Sequence, residues 1–330
     1  MTPKGRHVTM RKIYLVILDG AADRPIGRLN GLTPLEAAHT PALDDIAQES
    51  QHALIKVIGD DVWPESDSGA MALLSYDPLL YYTGRGPLEG FGLDFSTPGE
   101  NSISFRFNFA SYDELAGTLD RRTARGLSDD ELQELARAIR SEVSLDDLNV
   151  TFQIMAFSRH RGILSLTSDT SVLSGQVTNT DPGFRNVGAF GFPIRNYSPH
   201  PLRARPRDPS LAAAQAAKAV NEFVVRSARV LRDHPVNRAR QNRGELPANL
   251  LLVRDGGDPP SSLDSFYSKF GCTVSIFGQI PAERGLAKLM GGRFEYSRPM
   301  AKEAYAKVSL KKYRPIAARN EDKKVFSGLL

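Results

Sequence analysis

The chain has 330 residues, enough for two domains or for one α/β core that carries an insertion. Its 41% hydrophobic and 24% charged residues fit a globular protein, and a single cysteine, Cys272, excludes an intrachain disulfide and a cysteine-based zinc site, as in a reducing compartment. The net charge of +4 does not point to nucleic acid, because the basic excess is concentrated in residues 298–330, where nine Lys/Arg meet three Asp/Glu and aromatics are few.

Taken in chain order, the first element is an apolar run, Ile13 to Leu18, which reads as a β-strand ending on Asp19. The run is too short for a signal peptide or a membrane span, so a cytoplasmic protein with no membrane partner is expected. A helix is expected over about 41–50, with Thr40 as N-cap and Pro41 at its first position, and a strand over 53–58. The turn Pro64-Glu65-Ser66-Asp67-Ser68-Gly69 then leads into a helix near 69–75. Residues 102–109 read as a strand whose Ile103, Phe105, Phe107 and Phe109 share one buried face. A helix over 128–141 opens with a capping box of Ser128 and Glu131, and strands follow at 150–157 and 161–167. A Pro/Arg-rich linker around 198–210 precedes an Ala-rich helix over 210–232. Leu250 to Val253 and Thr273 to Phe277 read as buried parallel strands. The expected organisation is a core made of residues 1–97 and 206–330, with an α+β insertion over 98–205.

Three groups of residues carry chemistry. A buried parallel strand ending in a carboxylate would bring Asp19, a hard oxygen ligand, to a sheet edge. Ser66 sits where a helix N-terminus would favour a phosphoryl group, although a serine there is also a common cap. A serine hydroxyl attacks phosphorus only when a base or metal activates it, and Asp19 with Ser66 would be the metal donors. Asp67 either shapes the turn or supports the metal from behind. In the presumed insertion, Arg121, Arg122 and Arg125 with His160 and Arg161 could grip a substrate bearing a phosphate and a carboxylate, or form a solvated basic loop. Arg85, in a glycine-flanked turn, and Asp181, before Pro182, are further candidates. Asp233-His234 looks like a metal pair, but between a long helix and Pro235 it reads as a helix end.

Several ordered blocks resemble one family. They include Ala21-Ala22-Asp23-Arg24-Pro25, Gly31-Leu32-Thr33-Pro34-Leu35-Glu36-Ala37-Ala38-His39-Thr40-Pro41 and Ser75-Tyr76-Asp77-Pro78. Tyr81-Tyr82-Thr83-Gly84-Arg85-Gly86-Pro87-Leu88-Glu89, Leu119-Asp120-Arg121-Arg122, Arg159-His160-Arg161 and Thr178-Asn179-Thr180-Asp181-Pro182 continue the set. Spread over residues 12 to 290, they resemble the archaeal-type, cofactor-independent phosphoglycerate mutases of the alkaline phosphatase superfamily. The resemblance implies an α/β fold, an alkaline-phosphatase-like core with a mainly parallel sheet flanked by helices, plus the inserted domain. It implies interconversion of 3-phosphoglycerate and 2-phosphoglycerate, a step of glycolysis and gluconeogenesis, with Ser66 as the phosphorylated serine and Asp19 as a metal-bound aspartate. Two divalent ions, manganese or else magnesium or zinc, would serve, and 2,3-bisphosphoglycerate would not be needed. The partner is then a phosphorylated small molecule, with a homo-oligomer as an option.

The resemblance also implies a C-terminal donor set, of the form Asp-x-x-x-His followed by an Asp-His pair and a further histidine. No histidine follows His234, so the core is expected to be incomplete at its C-terminal end. That leaves open a homoserine-kinase-like phosphotransferase, a phosphomonoesterase, or a non-catalytic remnant of the family.

Overall fold

A computed structural model describes residues 12–60, 62–95, 102–122, 126–157 and 159–297. By contacts the chain divides into two units, Met1–Lys56 and Val57–Leu330.

In the first unit, α1 spans Pro34–Ala37 and α2 spans Pro41–Gln48. Both start on proline, whose missing N–H costs nothing in a first turn. Thr33 and Glu36 form a reciprocal capping box around α1. Thr40 precedes α2 as expected, but its hydroxyl donates to Asp44 Oδ1 at 3.1 Å rather than capping a backbone amide. The strands expected at 13–18 and 53–58 are not formed. Ile13 and Val16 are 92% and 76% exposed, and no described residue of this unit is buried. The apolar run supplies strand propensity, but without a paired neighbour propensity does not hold an extended segment in a ladder.

The second unit starts with α3 (Ser66–Leu73), α4 (Pro78–Tyr81) and α5 (Arg85–Gly92). Strands β1 (Ser102–Asp113) and β2 (Thr118–Asp120) follow, then α6 (Asp129–Glu142), β3 (Thr151–Phe157) and β4 (Arg161–Thr167). The hairpin of β5 (Phe184–Val187) and β6 (Phe190–Pro193) precedes α7 (Leu211–Arg232), α8 (Pro235–Asn242) and β7 (Leu250–Gly257). The last elements are α9 (Phe266–Phe270), β8 (Ser275–Gly278), α10 (Pro281–Leu289) and β9 (Arg293–Tyr296).

β1 organises this unit. It pairs antiparallel with β4 along one edge, with β7 along the other and with β2 at its end, and β3 continues the sheet beyond β4. The expected alternation holds: Ile103, Phe105, Phe107 and Phe109 enter one apolar core with Leu132, Leu135 and Ile139 of α6 and Val220 and Phe223 of α7. The opposite face of β1 is also buried, yet it carries Ser104, Arg106 and Asn108. A second apolar cluster joins Met71, Tyr76, Tyr82, Leu88 and Phe190 to Leu286 and Met290.

The architecture is mixed α/β, but the expected mainly parallel sheet is corrected. Among the described residues, parallel pairing is confined to β8 with β9. The apolar run of β7 reads as a parallel strand because all eight of its residues are buried, and here an antiparallel strand is covered on both faces. Capped helices match closely: Ser128 and Glu131 box α6, and Ser210 caps α7 by accepting from the Ala213 N–H. Asp233-His234 is a helix junction, with His234 Nδ1 accepting the Val236 N–H at the start of α8. No helix among the described residues is long and apolar enough to cross a membrane.

Candidate functional site

Ser66 is the first residue of α3, three positions earlier than the expected helix start. The turn before it is tied by the Glu65 N–H donating to Ser68 Oγ and the Gly69 N–H donating to the Glu65 carbonyl. Asp67 is fully buried beside it. Its Oδ1 accepts the Ser68 N–H at 2.9 Å and its Oδ2 accepts the Tyr82 hydroxyl at 2.6 Å. Asp67 therefore braces the turn, the structural one of its two expected roles. Burial, then the charge and hydrogen bond of Asp67, raises the Tyr82 phenol well above its usual range, so it stays a proton donor.

Around this turn runs a chain of buried charges. Arg85, at the start of α5, donates through Nε to Glu89 at 2.8 Å and lies 3.5 Å from Glu65 and 3.9 Å from Asp67. Arg106, on the polar face of β1, bridges Glu89 Oε2 at 3.0 Å and Asp255 Oδ2 at 3.3 Å. Burial opposes ionisation of Glu89, but Arg106 and Arg85 outweigh it and hold its carboxyl below the ordinary range. Glu65 goes the other way. Burial, then Asp255 and Asp67, pushes it up to about 7, against Arg85 and Arg106.

Asp255 sits at an irregularity in the β1–β7 ladder, where Ser104 pairs with Gly257 but Arg106 pairs with Arg254. It has φ +52°, a left-handed conformation unusual for a residue other than glycine. Arg254 lies 3.5 Å from Asp255 and 3.9 Å from Asp181, with its guanidinium stacked 4.0 Å over the Phe184 ring. Burial lowers its pKa to about 10, only partly offset by Asp255. Arg121 grips Asp181 with two parallel hydrogen bonds and lies against Gly183, whose lack of a Cβ lets the guanidinium approach. Burial works against the Asp181 carboxylate, but the Arg121 hydrogen bond and the Arg254 charge hold its pKa below the ordinary value.

The sequence-derived candidates are thus distributed unevenly. Ser66, Asp67 and Arg85 share one neighbourhood, and Arg121 and Asp181 form one ion pair. Arg122 is half-buried, with its N–H donated to Asp120. His160 is buried in the turn between β3 and β4, and Arg161 begins β4, close enough to Glu89 to stabilise its charge. Arg125 lies outside the described residues. Asp19 lies exposed in the first unit. Sequence reasoning missed Glu65, Glu89, Arg106, Arg254 and Asp255. Two signals were present: the i, i+4 spacing of Arg85 and Glu89, and Arg106 standing at an alternate position of a strand whose other face is phenylalanine.

The profile of the 2,3-bisphosphoglycerate-independent phosphoglycerate mutases matches residues 47–237. The chain belongs to this family. The Aeropyrum pernix 2,3-bisphosphoglycerate-independent phosphoglycerate mutase is 37% identical over 284 residues, covering 85% of this chain and 65% of that enzyme. The Methanopyrus kandleri enzyme of the same name is 38% identical over 285 residues, covering 85% and 63%. The chain thus spans just under two thirds of the length of these relatives. A solved Pyrococcus horikoshii protein superposes with a TM-score of 0.54 at 24% identity, covering 84% of this chain and 59% of that one, a likeness of fold.

Proposed function

We propose that this chain transfers a phosphoryl group between the 3- and 2-hydroxyls of glycerate, with Ser66 as the residue that carries it in between. Membership of the mutase family supports the reaction. The observation that carries the residue is the placement of Ser66 at the head of an eight-residue helix, in a turn braced by buried Asp67, Tyr82 and Arg85. The positive end of the helix dipole at such a first turn favours a phosphoryl group at Ser66 Oγ. In the first half-reaction the Ser66 Oγ–phosphorus bond forms, the bond from phosphorus to the substrate oxygen breaks, and the serine proton ends on the glycerate hydroxyl. The second half-reaction returns the phosphoryl group to the other hydroxyl. Arg85, Arg121, Arg122, Arg125, His160, Arg161 and Asp181 are the proposed substrate-binding set.

Among the described residues, no group of three or more His, Cys, Asp or Glu side chains is placed to hold a metal ion. Asp19 and Ser66 alone offer one carboxylate and one hydroxyl, fewer donors than manganese, magnesium or zinc requires. The residues described do not fit the family's two-ion centre, and no step here runs through one. An alkaline-phosphatase-like core over 1–97 and 206–330, with 98–205 inserted, belongs to the same proposal. In that partition the β1–β7 pairing joins the insertion and the core in one sheet.

Incubating the protein with 3-phosphoglycerate, with and without manganese, then mapping phosphoserine by mass spectrometry, tests the reading. Phosphate on Ser66, and loss of both phosphate and mutase turnover in Ser66→Ala, is the expected result. Turnover that survives in Ser66→Ala would remove Ser66 from the reaction.

A further inference from the structure

The two edges of the five-stranded sheet are finished differently. At β7 the edge is covered, because the Thr180 N–H donates to the Val253 carbonyl and Asn179 Oδ1 accepts the Asp255 N–H. At the other edge, β3 pairs with β4 along one side, and among the described residues no strand pairs along the other. A bond from α6 shows which way the backbone groups of β3 point. Gln133 Nε2 donates to the Ala156 carbonyl at 3.0 Å, so that carbonyl faces away from β4. The N–H and C=O of one strand residue share a side, and the side alternates along the strand. Phe152 and Ile154 therefore present theirs outwards as well. Natural edge strands are blunted by charged residues or proline, yet Thr151–Phe157 contains neither.

A shallow groove of about 500 Å³ lies along this edge, lined by residues 150–154, by the end of α6 and by Phe95. An open groove beside an unpaired strand fits a further strand better than an enclosed small molecule. Arg140 and Asp146 also line it. Both are exposed, and neither is ion-paired among the described residues. A surface that offers an unpaired strand with one cation and one anion beside it is self-complementary, as a two-fold contact requires.

We propose that two copies of this chain pair through β3, antiparallel about a two-fold axis at Phe152, so that their sheets join into one. Outward-pointing residues face each other in two registers, about Phe152 or about Ile154. Charge decides between them. Helix α6 runs antiparallel to β3, with Gln133 beside Ala156 and Arg140 beside residues 150–154. About Ile154, Arg140 would meet Gln133 of the partner subunit, an uncharged amide. About Phe152, it meets Asp146 of the partner subunit, and symmetry makes the contact twice. No residue of this contact belongs to the Ser66 neighbourhood, so it is independent of the phosphoryl chemistry.

Sedimentation equilibrium of the full chain from about 1 to 100 μM should show a reversible dimer, the affinity range of a small contact. Thr151 and Gln153 are exposed, and in this register each stands opposite the other across the axis. Thr151→Lys with Gln153→Lys therefore sets like charges face to face, and should leave a monomer with an unchanged thermal midpoint. Gln153→Lys alone is the second variant should the pair not fold. Arg140→Glu should weaken the dimer about 10-fold or more, and adding Asp146→Arg should restore it, because the swap rebuilds both contacts with their signs exchanged. Three results overturn the proposal: a wild type that stays monomeric throughout that range; a dimer untouched by the lysines, which would place the contact elsewhere; or a charge swap that restores nothing.

Discussion

The two units carry the two residues that the sequence marks most strongly, Asp19 and Ser66, and they differ in how those residues are held. Ser66 heads a helix whose turn is tied to buried Asp67, and that residue to Tyr82 and Arg85. Asp19 follows an apolar run that forms no strand, in a unit where no described residue is buried. A site residue gains precision from what packs behind it, not from the local pattern that announces it. If that is right, the units should respond to substitution on different scales. Phe107→Ala, at the fully buried centre of β1, should cost about 3–5 kcal/mol by urea denaturation, from lost burial and the cavity left behind. Ile13→Ser should stay within about 0.5 kcal/mol, as exposed positions do. A cost for Ile13→Ser comparable with that of Phe107→Ala would erase the distinction.

The buried charges sharpen the contrast with a smaller, pH-dependent effect. Glu65 has a pKa of about 7 in the fold against an ordinary 4.5, because burial, Asp255 and Asp67 disfavour its charge. Between those values the folded protein holds a proton that the unfolded chain has released, so stability is fully present below pH 4.5 and falls as pH rises towards 7. The loss is on the order of 3 kcal/mol at most. Glu65→Gln should flatten this part of the stability-against-pH curve, as measured by denaturation at pH 5 and pH 8. An unchanged slope would mean that another group supplies it. Glu36, exposed in the first unit and held below its ordinary value by its Thr33 hydrogen bonds, lies outside that window.

What was legible in the sequence follows the same division. Helix starts were readable because a cap is local chemistry: Ser128 with Glu131 and the proline of α2 mark helices close to where they begin. β1 was readable from alternation, β3 and β4 were placed close to their observed bounds, and the arginine-bearing blocks were readable from family likeness. Pairing was not readable, since the burial of β7 looks the same whether its neighbour runs parallel or antiparallel. Nor was the charge network, whose members lie as far apart in sequence as Arg106 and Asp255. Their side chains meet only because β1 and β7 are neighbours and the ladder slips at Asp255.

Among the changes in the second unit, the smallest effect is the one closest to Ser66. Tyr82→Phe keeps the ring, and with it the stacking on Phe190 at 5.4 Å, and removes only the hydroxyl that donates to Asp67. The cost should exceed that of a typical hydrogen bond, because Asp67 Oδ2 would stay buried with Arg85 at 3.9 Å as its nearest cation. About 2 kcal/mol is expected, and the urea midpoint should shift without a change in slope. The variant should also bind phosphate less tightly at Ser66, since the turn at the head of α3 is no longer tied to Tyr82. A Tyr82→Phe protein as stable as the wild type would show that Arg85 alone braces Asp67. The contrast between the units would then rest on apolar burial rather than on the hydrogen-bonded turn.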